Sequence, residues 1–218
     1  MDLDLSDIET ATLGHFLEQG FMAQVIQGVI PEARVFGPAL TVRLPGSDGT
    51  ALVHALSAAE PGQVIVVDRC GDLRHACWGA VTTAAAASRG VAGVVIDGYI
   101  TDHSAILDAG FPVWCRGRSP LTTKIRGGGG EIGATITCGG VRVEMGDIVL
   151  ADENGVVVLD PETAAEHVAR ARAMQASEPD TIARLRAGET LAEITRPPDL
   201  PGRMSRPRPP GPSPKERS

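Results

Sequence analysis

Two stretches concentrate residue types able to do chemistry. Arg69-Cys-Gly-Asp-Leu-Arg-His75 gathers two guanidinium groups, a carboxylate and an imidazole, and Thr101-Asp102-His103 sets a carboxylate beside a second imidazole. Arg69, Arg74 and Arg116 can offer positive charge to a developing anion, while Asp72, His75 and His103 can move protons near neutral pH. The same residue types serve equally as solvated loop groups, and geometry or a perturbed pKa decides between the two roles. Gly127-Gly-Gly-Gly130 resembles a phosphate cradle in composition only, because no Lys-Ser/Thr pair follows it. Cys77 and Cys115 stand in no Cys/His motif and read as small core residues.

The elements that must position these residues follow from periodicity. Ser6–Gly20 has capping-box spacing between Ser6 and Glu9, with Ile8, Leu13, Phe16 and Leu17 along one face, and predicts a helix. Residues 34–44 predict a strand and 50–60 a helix stopped by Pro61-Gly62. The apolar runs 63–68, 91–97 and 111–115 suit strands buried on both faces, with helices predicted over 74–89 and 101–109 between them. Strand, helix, strand, helix, strand is the pattern of βαβ crossovers. It places Arg69–Leu73 and Gly98–Asp102 at the carboxyl ends of parallel strands, where open α/β sheets bind ligands. Later, 134–138 with 141–145 and 148–152 with 156–159 predict antiparallel hairpins around tight turns. Asp160-Pro161 then starts a helix running to about Gly188.

Composition sets the outer bounds. A chain of 218 residues suits one ordinary domain, and with 43% hydrophobic but only 3% aromatic residues its core must be aliphatic. Of the 16 prolines, 8 fall after Thr195, in a segment with few apolar side chains. We therefore expect a folded domain over 1–195 and a disordered Pro/Arg-rich tail over 196–218. That tail carries 6 of the 20 Lys/Arg, leaving 14 basic against 25 acidic residues on 1–195. So acidic a body is a poor partner for nucleic acid. Four cysteines without a C-x-x-C pair, no apolar N-terminal leader and no membrane-length apolar run point to reduced thiols in a cytoplasmic protein with no membrane partner.

The order and spacing of short pieces carry a resemblance. They are Gly37-Pro-Ala-Leu-Thr-Val42, Pro61-Gly62, Gly71-Asp-Leu73, Trp78-Gly79, Arg89-Gly-Val-Ala-Gly-Val-Val-Ile-Asp-Gly98, Gly110-Phe-Pro-Val113, Arg116-Gly117, Ser119-Pro120, Cys138-Gly-Gly140, Gly146-Asp147 and Ala151-Asp152. Over about residues 6–190 the chain resembles the 4-hydroxy-4-methyl-2-oxoglutarate aldolases and the regulators of ribonuclease activity A, the RraA-like superfamily. The resemblance implies a compact swivelling α/β/β/α fold. It also implies a homotrimer or homohexamer with sites at subunit interfaces, and a divalent metal, Mg or Mn, that chelates a small 2-oxo acid. A hard cation held by few carboxylates leaves coordination positions for substrate and water.

The family's motif is an acidic residue, twenty intervening residues, then Arg-Asp. Here the acidic position falls on Ala80 and the arginine on Thr101, so only Asp102 is retained. Asp102 is thereby expected as the metal ligand, although a carboxylate at a helix start is also stabilised by the local dipole. The backbone N–H groups of Val81 and Thr82 correspond to the carboxylate cradle, and Thr101 to the substrate-facing position. Thr101 lacks the bidentate fork of arginine and Ala80 can neither orient water nor exchange a proton. The resemblance therefore implies a divergent metal-dependent lyase, of aldolase or decarboxylase type, for a small 2-oxo or polycarboxylic acid. Two other readings stay open: a catalytically silent interaction or regulatory protein, and an isomerase or hydrolase that reuses the pocket.

Overall fold

In the chain's computed structural model, which describes residues 3–198, apolar runs form strands with core on both sides. In Val64-Ile-Val-Val67 the side chains of Ile65 and Val67 enter one apolar cluster, and those of Val64 and Val66 enter another. A period of two with both faces covered leaves no polar positions, so the run is apolar throughout.

The elements in chain order are α1 (Thr10–Leu13), β1 (Gln27–Gly28), β2 (Val35–Arg43), α2 (Thr50–Ala58), β3 (Val64–Asp68), β4 (Ala76–Trp78), α3 (Ala80–Ser88), β5 (Gly93–Asp97), β6 (Tyr99–Ile100) and α4 (His103–Ala109). They continue with β7 (Val113–Cys115), β8 (Gly117–Arg118), β9 (Glu131–Ile132), β10 (Ile136–Cys138), β11 (Val141–Val143), β12 (Ile148–Asp152), β13 (Gly155–Leu159), α5 (Ala164–Arg186) and α6 (Leu191–Thr195). The main sheet runs β1-β7-β5-β3-β2-β12-β13, with β9 also paired to β2. Strands β7, β5, β3 and β2 are mutually parallel, while β1, β9, β12 and β13 join antiparallel.

Each crossover from β2 to β3, β5 and β7 steps the same way along the sheet, so the connecting helices gather on one face. Buried residues of α2, α3 and α4 share one cluster with Leu40, Val42, Ile65, Val67, Val94 and Ile96. The β10-β11 hairpin and residues 22–26 cover the other face, and α1 and α5 pack a third cluster against β12 and β13. A separate parallel sheet, β4-β6-β8, is built from short strands of the crossover segments. The expected α/β class and both hairpins are present. The chain parts into two compact units between Ala176 and Ser177, within α5. Of the expected tail, residues 199–218 lie outside the described residues. No described helix is long and apolar enough to cross a membrane.

Three helical expectations need correction. Between Ser6 and Gly20 only Thr10–Leu13 is α-helical. The predicted Ser6–Glu9 box does not form, because buried Asp152 caps this turn instead, accepting the Thr10 N–H at 2.8 Å and its hydroxyl at 2.6 Å. Over 74–89 the first part is strand β4, since Ala76 and Trp78 pair with β6, and the helix starts only at Ala80. The last long helix begins at Ala164 rather than at the Asp160-Pro161 turn.

Candidate active site

Strands β4 and β6 end side by side, with Trp78 opposite Ile100, and this register sets the start of α3 against Thr101-Asp102. The Thr101 N–H donates to the Trp78 carbonyl at 2.8 Å. Asp102 then turns the chain in the left-handed region, φ 50° and ψ 39°, which aspartate tolerates better than most residues. Its backbone carbonyl accepts the Ile106 N–H in α4, while Oδ2 accepts the Ala80 N–H of α3 at 3.0 Å. One residue therefore serves the starts of two helices. Gly79 makes the approach feasible: a Cβ there would stand 2.5 Å from Asp102 Oδ2 and 2.8 Å from the Thr101 methyl.

The surrounding cleft has a volume of about 150 Å³ and is lined by residues of β4 and the α3 start, by Thr101 and Asp102, and by Thr122 and Thr123. The side chain of Val81 is 84% exposed at its rim. Thr82 Oγ1 accepts the Gly79 N–H at 2.8 Å, and no described acceptor serves the N–H groups of Val81 or Thr82. First-turn amides without partners are suited to an anion. The Thr101 hydroxyl lies 3.4 Å from Asp102 Oδ1. The structure thus brings Val81, Thr82, Thr101 and Asp102 together.

It does not bring the other candidates there. Arg69 is fully buried, donating to the carbonyls of Leu44 (2.7 Å) and Gly46 (2.6 Å) and to Asp72 (3.1 Å). Asp72 also accepts the N–H groups of Arg74 and His75 and contacts His75 Nδ1 at 2.8 Å. Burial opposes ionisation of Asp72, but the Arg74 amide, His75 and Arg69 outweigh it and hold the carboxyl below its ordinary range. Arg116 is paired with Asp97, and His103 lines a different pocket. Of the cleft's lining, only Asp102 and Cys77 carry titratable side chains, and burial pushes the Cys77 thiol up to about 11.

Sequence reasoning missed Thr122 and Thr123. They reach the cleft because Thr122 bridges to Ala76, and Lys124 to Asp48, across more than forty residues of chain. The Asp48 carboxylate anchors the same loop, accepting from Thr50 N–H and hydroxyl, Arg126 N–H (3.3 Å) and Gly128 N–H. The Thr50 bonds lead in lowering its pKa from 3.8 to about 2.

Comparison with known proteins gives the chain's family. The Aldolase/RraA family profile matches residues 4–158. The chain belongs to the Aldolase/RraA family. Within the family, it is 40% identical over 126 residues to a Halalkalibacterium halodurans protein provisionally named a 4-hydroxy-4-methyl-2-oxoglutarate aldolase. That match covers 58% of this chain and spans only 60% of the relative's length. Among solved structures, an uncharacterised Pseudomonas syringae protein superposes with a TM-score of 0.77 at 27% identity, covering 88% of this chain and 91% of that one. Streptomyces coelicolor RraAS2, described as an unusual member of the RNase ES inhibitor RraA family, gives 0.70 at 27% identity, covering 83% and 93%.

The donors fit a family metal only in an open manner. Among the described residues no three His, Cys, Asp or Glu side chains cluster, so one chain builds no cage. Among the described residues Asp102 Oδ1 has only the Thr101 hydroxyl as a partner, and magnesium commonly takes one or two carboxylates, with water and substrate completing its shell.

Proposed function

We propose that this Aldolase/RraA-family chain is a divergent, divalent-metal-dependent lyase of decarboxylase type, acting on a small 2-oxo or polycarboxylic acid in the Asp102 cleft. The observation that carries the reading is the cleft's poverty in acid–base groups. Retro-aldol cleavage needs a base to take the carbinol proton, whereas loss of carbon dioxide from a 3-carboxy-2-oxo acid needs only an electron sink. When bound, Mg or Mn would supply that sink. Asp102 would hold it through Oδ1, with Oδ2 kept in place by the Ala80 N–H. The Val81 and Thr82 amides would receive the substrate's 1-carboxylate, and the Thr101 hydroxyl would orient its oxygens. The proton that replaces carbon dioxide would come from solvent, to which Asp102 is exposed. Val81, 84% exposed at the cleft rim, would then be covered by a neighbouring subunit in the homotrimer or homohexamer that the family resemblance implies.

The test measures pyruvate release from oxaloacetate and from 4-hydroxy-4-methyl-2-oxoglutarate, with Mg, Mn or a chelator. The expected result is metal-dependent decarboxylation with little aldol cleavage, and gain of aldol cleavage in the double variant Ala80→Glu/Thr101→Arg. Failure of both substrates in wild type, with no metal-dependent binding of oxalate, would overturn the reading. The same scarcity of acid–base groups in the cleft favours a second one, a catalytically silent regulatory protein. Stoichiometric capture of one protein partner by an inactive wild type would then decide for it.

A further inference from the structure

We propose that Lys124 is the specificity residue of the Asp102 cleft, selecting 2-oxo acids that carry a further carboxylate at the far end of the chain, one retained through the reaction. The inference rests on the decarboxylase reading and narrows its substrate class. The cleft's own lining carries no cation, since the family's arginine position holds Thr101. An ammonium nevertheless touches that lining: Lys124 Nζ donates to the hydroxyl of Thr122, a wall residue, at 3.1 Å. Of the chain's 20 basic Lys/Arg residues only Lys124 and Lys215 are lysines, so the cleft wall holds the one lysine of residues 1–195. A lysine offers a compact point charge on a flexible arm, which suits reach into a small cleft better than a planar fork does.

Backbone pairing fixes where this charge sits. Ala76 of β4 lies opposite Tyr99 of β6 on one side and bridges to Thr122 on the other. Thr101-Asp102 therefore follow one flank of β4 and residues 122–124 run along the other, roughly 9–10 Å away across two strand spacings. The Thr123 N–H donates to the Ala76 carbonyl at 2.9 Å, the Lys124 N–H to Ser47 at 2.8 Å, and the Lys124 carbonyl accepts from Gly49 at 2.9 Å. The exposed ammonium keeps two further N–H donors and has no carboxylate partner among the described residues. Which carboxylate it holds follows from the chemistry. In decarboxylation the bond from C3 to the departing carboxylate breaks, its electron pair is taken up at the 2-oxo group, and a solvent proton replaces the lost carbon dioxide. A cation on the departing carboxylate would stabilise the substrate more than the transition state and slow the step. A cation on a carboxylate that stays favours both equally and lowers KM alone. Lys124 thus suits a 3-carboxy-2-oxo acid with a further terminal carboxylate, whose product is a five-carbon 2-oxo diacid.

The test titrates 2-oxoglutarate and 2-oxopentanoate, which differ only in the far carboxylate, into the full chain with magnesium by calorimetry at constant ionic strength. The diacid is expected to bind at least about tenfold tighter. Lys124→Met should abolish that preference while leaving 2-oxopentanoate binding unchanged. Lys124→Arg, which keeps the charge, should retain most of it, and Arg126→Gln, on the same loop, all of it. No binding of either acid, equal binding of the two by wild type, or a preference that survives in Lys124→Met would overturn the assignment. Oxaloacetate turnover, followed in the same preparations, reports on the lyase reading separately. Discrimination without turnover keeps the Lys124 site and loses the lyase, and turnover without discrimination does the reverse. The Lys124 side chain is exposed and bonds only to Thr122, so its variants retain the fold, and circular dichroism checks this.

Discussion

The loops that follow β3 and β6 stand at comparable places in the fold and do opposite things with charge. After β3, Arg69, Asp72 and His75 bind one another and two backbone carbonyls, with Arg69 shut away from solvent. After β6, Asp102 stays exposed, held by one backbone amide beside threonine hydroxyls. The first loop spends its chemically capable side chains on its own architecture. The second leaves a carboxylate oxygen and two helix amides for a ligand. A run rich in ionisable residues is thus no guide to a site until their partners are known, and a run poor in them can still form one.

Disrupting the charged loop should have the largest effect on stability. Arg69→Met keeps the length but strands the Leu44 and Gly46 carbonyls and the partly buried Asp72 carboxylate. Breaking a buried pair of this kind costs roughly 3–5 kcal/mol. A urea titration should show that loss. A change under about 1 kcal/mol would mean the loop tolerates losing its centre and that the contrast between the loops is overstated.

Much of this was legible in the sequence, for physical reasons. Apolar β-branched runs such as 64–67 and 94–96, bounded by turn residues, suit strands buried on two faces, and the loops after parallel strands reach the sheet's carboxyl edge. The spacing of the family's motif put its acidic position on Ala80, and in the structure the Ala80 N–H donates to Asp102 Oδ2. What could not be read were contacts fixed at long range. Asp152 binds the N–H and hydroxyl of Thr10 from 142 positions away, at a helix start four residues later than local spacing predicted. Ala76–Trp78 look helical among small residues, yet they pair with β6 because Tyr99 and Ile100 offer an edge. Thr122 and Thr123 carry no motif, and only the bridge to Ala76 brings them to the cleft.

The open loop should respond in binding rather than in stability. Asp102→Asn retains an oxygen for the Ala80 N–H but removes the charge. Divalent-dependent binding of oxalate should fall on the order of 100-fold or more, since outer-shell changes alone cost up to about that much. The melting temperature should barely move. Asp102→Ala removes the cap as well and should add about 1 kcal/mol of destabilisation. If Asn melts as early as Ala, the carboxylate's charge is structural and Asp102 belongs with the first loop.

Gly79→Ala tests the same loop more gently. The new methyl would sit 2.5 Å from Asp102 Oδ2, so the carboxylate must swing away from Ala80. At φ −167° the backbone itself accepts alanine, and the effect should be a partial loss of oxalate binding, about tenfold, with an intact fold. Unchanged binding would show that the Asp102 position is not what the ligand reads.

The smallest expected effect concerns the wall of the Asp102 cleft, the loop that carries Thr122 and Thr123 and is anchored on Asp48. With its carboxyl depressed from 3.8 to about 2, chiefly by the hydroxyl and N–H of Thr50, Asp48 contributes stability that is fully present above its unfolded value. That contribution is lost as pH falls through the folded value, so the window lies between about pH 4 and pH 2. Amide exchange at Arg126 and Gly128 should accelerate across it beyond the intrinsic change, while amides of β3 and β5 stay protected. Asp48→Asn, which keeps one acceptor but cannot titrate, should remove the pH dependence and leave a uniformly faster loop. Equal pH dependence in wild type and variant would assign the acid response to another carboxylate and detach the cleft wall from Asp48.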